Sequence, residues 1–241
     1  MQKIVIFGAT GGMGSAISRR LSTKGYTLHL VGRDQTKTEA LAGELGARFT
    51  LGDVTDAALF ERVSDDVGDV LHGLVYAVGT LNLKRLTRLS VEDYINDFRI
   101  NAIGAALSIQ YLLPSLKKNP NPSSVVLFSS VAAEQGFSSH ASMGMAKGAV
   151  RGLTLALGAE LAPKIRVNAI SPSLTATPLA EGLLSNEKMV EAISKMHAME
   201  RLGTPEDFAA MCEFLLSEES AWITGQIFGV DGGRSTLRTK S

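Results

Sequence analysis

An apolar run at residues 3–7, KIVIF, passes directly into a turn holding Gly8, Gly11, Gly12 and Gly14, and that junction restricts the folds open to this chain more than any other stretch. Residues without a Cβ let backbone N–H groups close on an anion. The helix expected over 13–23 aims its unsatisfied N–H groups and positive dipole end at the same point. Strand, glycine turn and helix in that order make a cradle for a diphosphate. Gly8, Gly12 and Gly14 read as Gly-x3-Gly-x-Gly, whereas Gly8, Gly11 and Gly14 read as Gly-x2-Gly-x2-Gly, so the glycines alone leave the dinucleotide-binding subtype open.

Apolar strand-like runs alternate with helical patterns along the whole chain. Strands are expected at 3–7, 27–31, 47–51, 71–78, 124–128, 165–169 and 226–230, all rich in the Val, Ile and Leu that suit strands covered on both faces. Helices fill the gaps, the longest over 91–116 and 140–161, with Pro114 expected to kink or end the first. Right-handed crossovers then give an α/β Rossmann-type doubly wound parallel sheet of about seven strands between two helical layers. No linker or composition break divides the chain, so residues 1–241 are expected to form a single dinucleotide-binding domain. The apolar, Met-bearing segment 177–199 sits where such a sheet places a substrate lid. The polar stretch 234–241 is expected to be frayed or held by a neighbouring subunit.

Composition excludes several classes. Of 241 residues 45% are hydrophobic, enough for a large core, and 24 Lys plus Arg balance 24 Asp plus Glu, so no basic field attracts nucleic acid or an anionic membrane. Cys212 is the single cysteine, and the four histidines lack metal-ligand spacing, so no disulfide and no metal are expected. No cationic segment with an apolar h-region precedes the first strand, which points to the cytoplasm.

The tip of the second strand bears on the cofactor. A carboxylate there would bind the ribose of NAD, and a cation would pair with the extra phosphate of NADP. The strand ends Val31-Gly32-Arg33, and the Arg fork suits a phosphate, so NADP(H) is favoured over NAD(H). Asp34 keeps the alternative open, although it also suits the cap of the next helix.

These motifs, with LGDVTD (Asp53, Val54), RINAIG (Asn101), LFSSVAA (Ser130), MGMAKGA (Lys147), VNAISP (167–172), RLGTPED (201–207), ITGQ (223–226) and VDGG (230–233), resemble the short-chain dehydrogenase/reductase family in order and spacing over essentially the whole chain. The resemblance implies hydride transfer between a nicotinamide and a carbonyl or alcohol. It assigns cofactor contacts to Gly8, Thr10, Gly12, Met13, Gly14, Arg33, Asp53, Val54, Ala77, Gly79, Lys147, Pro172, Thr175 and Thr177. It gives Ser130 the substrate oxygen, Lys147 the nicotinamide ribose and Asn101 a proton-carrying water, and its C-terminal block implies a homotetramer or dimer.

The family's catalytic Tyr should stand four residues before Lys147, and that position is Met143. A thioether exchanges no proton near neutral pH. The fourth strand also departs from the family's Asn-Asn-Ala-Gly, ending Tyr76-Ala77-Val78-Gly79. His140, three residues before Met143, and Tyr76 are the candidate replacements for the missing acid. The leading expectation is an NADP(H)-dependent oxidoreductase with atypical proton delivery, acting on an apolar small molecule, a carbonyl, alcohol or activated alkene. An impaired NADP-binding protein and an inactive partner subunit of an active relative are the alternatives.

Overall fold

The computed structural model describes residues 2–238. Strands β1 Lys3–Phe7, β2 Thr27–Gly32, β3 Arg48–Leu51, β4 Gly73–Tyr76, β5 Ser123–Phe128, β6 Ile165–Pro172 and β7 Ile227–Val230 pair in parallel, in the order β3-β2-β1-β4-β5-β6-β7. The chain builds outward from β1 to β3, then crosses back to lay β4 on the other side of β1. That reversal opens a crevice at the carboxyl ends of β1 and β4.

Alternation along the strands sends side chains into two separate cores. Val5, Phe7, Leu74, Tyr76, Val125 and Val167 face one way, onto Leu59 and Phe60 of α3 (Ala58–Val67), Ile109 and Leu112 of α5 (Gly104–Lys118) and Val150 of α6 (Ala141–Leu161). Ile4, Ile6, Leu28, Leu30 and Val126 face the other, onto Ile17 and Leu21 of α1 (Gly12–Thr23), Leu41 of α2 (Gln35–Leu45) and Phe208, Cys212 and Leu215 of α9 (Pro205–Leu216). A period of two, with both faces buried, is why these strands read as continuous apolar runs. The α/β doubly wound fold is therefore the one expected. Among the described residues no helix is long and apolar enough to cross a membrane.

The elements differ from expectation in five places. β4 covers only four residues, because the ladder to β1 and β5 begins at Gly73 and ends at Tyr76, and β6 runs on to Pro172 by pairing with Val230. The helix expected over 91–116 is divided into α4 Val91–Phe98 and α5 by a π-helical turn, Arg99–Ile103. Pro114 does not end it: α5 continues to Lys118. Arg234 is not frayed. Its backbone carbonyl and that of Ser235 accept from Gln135 Nε2 at 3.3 and 2.7 Å. Residues 239–241 of the expected tail lie outside the described residues.

Candidate active site

The glycine turn owes its shape to two close approaches. Gly8 has φ +76°, and a Cβ there would stand 2.9 Å from the carbonyl oxygen of Ala77; a Cβ on Gly14 would overlap the carbonyl oxygen of Gly8. The turn is thus pressed between β4 and the first turn of α1, and only hydrogens fit at either contact. Above it runs a groove of about 590 Å³ lined by Gly8, Thr10, Gly12, Met13, Arg33, Asp53, Val54, Ala77, Gly79 and Thr177. Lys37 lines it too, beside Arg33, a residue the sequence reading passed over.

At the far end of β2, Arg33 reaches the Asp53 carboxylate at 3.7 Å, and its side chain is 80% exposed. Asp53 is held below its ordinary value mainly by the backbone N–H of Thr55, which donates at 2.9 Å, with Arg33 a smaller contributor. Asp34 accepts from the backbone N–H of Lys37 as the N-cap of α2, so its carboxylate is engaged locally.

The groove opens into a second cavity of about 320 Å³, sharing Met13, Ala77, Gly79, Thr80 and Thr177 as common wall. This cavity gathers Ser130, His140, Met143, Lys147, Pro172 and Thr175 from three separate stretches of chain. Its remaining walls are mainly apolar, including Leu81, Leu83, Leu174, and Leu183 and Ile193 from α7 (Glu181–Leu184) and α8 (Glu187–Lys195), with Ser129, Ser173 and Arg234 among them. Gly14 and Asn101 line neither space: Gly14 lies under the turn, and Asn101 stands behind Gly79.

Ser130 Oγ accepts from the backbone N–H of Ala132 at 3.1 Å, which fixes the oxygen and leaves its proton to point elsewhere. Lys147 is buried, and its Nζ donates to the Phe128 carbonyl at 2.8 Å. Gly79 passes between Asn101 and Lys147, where a Cβ would stand 3.2 Å from Asn101 Oδ1 and 3.3 Å from Lys147 Nζ. His140 directly precedes α6 rather than belonging to it; its Nδ1 donates to the Ser138 carbonyl at 2.8 Å, which leaves Nε2 free for the cavity. Tyr76 is no proton donor to this site. Its hydroxyl donates to the Ile100 carbonyl at 2.6 Å inside the core, and burial pushes the phenol far above its ordinary value.

Sequence reasoning missed Asp97. Its side chain is 1% exposed although it lies on the amphipathic α4, and it accepts from Ser142 Oγ at 2.5 Å, Thr80 Oγ1 at 2.6 Å and Asn82 Nδ2 at 3.2 Å. Thr80 Oγ1 also accepts from Asn101 Nδ2 at 2.8 Å and contacts Met143 Sδ at 3.5 Å. A buried carboxyl with three donors therefore clamps α4, the loop after β4 and the start of α6 around the cavity.

Burial lowers the Lys147 ammonium from 10.5 to about 8. Where a lysine binds its proton less tightly in the fold than in the open chain, carrying the charge costs stability at pH values below the folded value, and the cost fades as pH rises toward 10.5. The urea midpoint of the protein, taken relative to that of Lys147→Met, is expected to be flat below pH 7 and to rise between pH 8 and 10. A difference that stays constant across that range would mean the ammonium is solvated.

A family model described as enoyl-(acyl carrier protein) reductase matches residues 8–235. A tropinone reductase homologue of Arabidopsis thaliana is 31% identical over 239 residues, spanning 95% of this chain and 90% of the relative. A short-chain dehydrogenase/reductase of the glucose/ribitol dehydrogenase type from Brucella melitensis superposes with a TM-score of 0.93 at 30% identity, over 98% of this chain and 97% of the other. The chain belongs to the short-chain dehydrogenase/reductase family. Its membership makes it an oxidoreductase by family, and that family includes a structure solved with a nicotinamide cofactor: a variant of actinorhodin polyketide ketoreductase with NADPH, TM-score 0.92 at 25% identity, covering 98% of each chain.

Proposed function

We propose that this short-chain dehydrogenase/reductase is an NADP(H)-dependent oxidoreductase acting on an apolar carbonyl, alcohol or activated alkene, with proton delivery that does not use the family's tyrosine. The observation carrying this reading is the continuity of the two spaces. A groove built on the glycine turn leads past Gly79 directly into an apolar cavity where Lys147 and Ser130 meet.

The residues fit a dinucleotide. The cradle at Gly8 and Gly14 has no room for a Cβ, which suits a backbone that must approach a diphosphate. Lys147 holds one carbonyl with an ammonium that has three donors, leaving two for ribose hydroxyls. Thr10, Gly12 and Met13 would face the diphosphate, Asp53 and Val54 the adenine, and Ala77, Pro172, Thr175 and Thr177 the nicotinamide side. When bound, the nicotinamide supplies or accepts hydride at its C4. Ser130 would then hold the substrate oxygen through a hydrogen bond from its hydroxyl, and Asn101, buried and bonded to Thr80 and to the Asp97 carbonyl, would keep the loop at Gly79 in register. The substituted Met143 gives an apolar wall where the family resemblance places a phenol. For an alkene substrate hydride would add to one carbon and a single proton to the other, from water or from His140, whose Nε2 would first have to take up a proton.

Arg33 supports NADP over NAD, because its exposed fork stands at the β2 tip with only one carboxylate contact, at 3.7 Å. Lys37 adds a second cation on the same wall. NADPH is expected to bind with enhanced fluorescence, and Arg33→Ala is expected to weaken NADPH by about tenfold, as loss of one charge-assisted phosphate contact should. The affinity for NADH should shift less than twofold. Absence of NADPH binding at high micromolar levels would remove the nucleotide reading altogether. The same reading takes the protein as a homotetramer or dimer of the cytoplasm, an assignment that the C-terminal motifs and the buried, unpaired Cys212 support.

A further inference from the structure

We propose that the substrate of this cavity carries a carboxylate on an otherwise apolar body, and that Arg234 is the residue that recognises it. The inference names the substrate class of the nicotinamide site described above and rests on that reading.

The case begins with how firmly the arginine is held. Asp231 accepts from the backbone N–H groups of Gly233 and Ser235, one on each carboxylate oxygen and both at 2.9 Å, which closes the turn that carries Arg234. Gln135 ties the carbonyls of the same turn to the loop after β5. The guanidinium then lies over the Phe137 ring, 5.3 Å from its centroid, with Nη1 3.5 Å from the Met196 carbonyl. An aromatic face and a fixed backbone orient the planar fork before any ligand arrives.

Its charge meets no carboxylate among the described residues. Arg19, Arg20 and Arg201 each meet a carboxylate at 2.7 to 2.8 Å, whereas Arg234 forms no ion pair among the described residues. Asp231, in the turn that carries it, is occupied by backbone N–H groups. No aspartate or glutamate lines the cavity, and its other cation, Lys147, is buried and bonded to Phe128. A wholly apolar ligand would strip water from the guanidinium and return nothing, a net cost. A carboxylate on that ligand would turn the same desolvation into two parallel charge-assisted hydrogen bonds. The second outcome wins, and it leaves the apolar body against Leu83, Leu174, Leu183 and Ile193.

The test compares 4-phenylbutanoate with its neutral isostere 4-phenylbutanamide by calorimetry on the full chain, with and without saturating NADP+. The carboxylate is expected to bind at least about fivefold tighter. Arg234→Met should make the two affinities equal, and Arg234→Lys, which keeps the charge, should retain part of the preference, so that a loss in the first variant is not mistaken for misfolding. Equal affinities in the parent, or no binding of either compound, overturns the proposal. A preference that survives Arg234→Met but vanishes once NADP+ is present would place the anion on Lys147, and overturns it too. Because the unloaded protein is measured as well, a failure of NADP+ itself to bind counts against the cofactor reading and leaves the carboxylate result legible.

Discussion

Met143→Tyr is expected to raise kcat/KM for NADPH-dependent reduction of small apolar ketones by about 10²-fold or more, the range in which a positioned general acid contributes. Position 143 lies one helical turn before Lys147 on α6, and both side chains line the cavity. A phenol there would sit near a buried ammonium, which lowers the cost of ionising it. The cavity beside Met143 offers room for the longer side chain, and Thr80 Oγ1, now 3.5 Å from the sulfur, gives the hydroxyl a partner. Steady-state assays over a ketone panel, with a pH profile, check this. The gain should carry an alkaline limb absent from the parent. Parent turnover that the tyrosine diminishes would instead mark Met143 as a pocket wall for a chemistry of its own.

Gly14→Ala is expected to weaken NADPH by more than about 100-fold, equivalent to roughly 2.8 kcal/mol. The new methyl would overlap the Gly8 carbonyl oxygen and crowd Ala9 Cα, both backbone, so no side-chain rotation relieves it. Overpacking of this kind costs about 1–3 kcal/mol of stability, and a chain of this length loses about 2–4 °C of Tm per kcal/mol. Gly43→Ala is the control. It lies inside α2 with nothing within 4 Å, so alanine there should leave affinity unchanged and stabilise the helix by about 0.5–1 kcal/mol. A cofactor titration with a thermal melt separates the two effects. Normal affinity in Gly14→Ala would show that the turn relaxes freely and is no cradle.

The strands were legible because each is buried on both faces, so an unbroken run such as Val125 to Phe128 needs no period to be recognised. Their ends were not. Leu71 and His72 are as apolar or aromatic as the strand they precede, yet Leu71 donates its N–H to the Ser115 carbonyl of α5, outside the ladder. The glycine turn was readable from its own residues, and Ser130 and Lys147 only through the family resemblance. Asp97 did not, since an acid on an eight-residue amphipathic helix reads as solvated, and its partners Thr80, Asn82 and Ser142 come from two other elements. A local cue did exist in the closely placed Thr80 and Asn82 just after β4. Arg234 escaped for a different reason: its setting is made by Gln135 and Phe137, about a hundred residues away, and nothing beside it in the chain reports them.

Thr177 touches the glycine turn so closely that a Cβ on Gly12 would stand 2.7 Å from its methyl group. The same threonine, with Leu179, belongs to both chambers. A dinucleotide in the first chamber would lie against the same partition as a ligand in the second. On the proposed reading, whatever change one ligand makes in the affinity for the other is returned by the same factor.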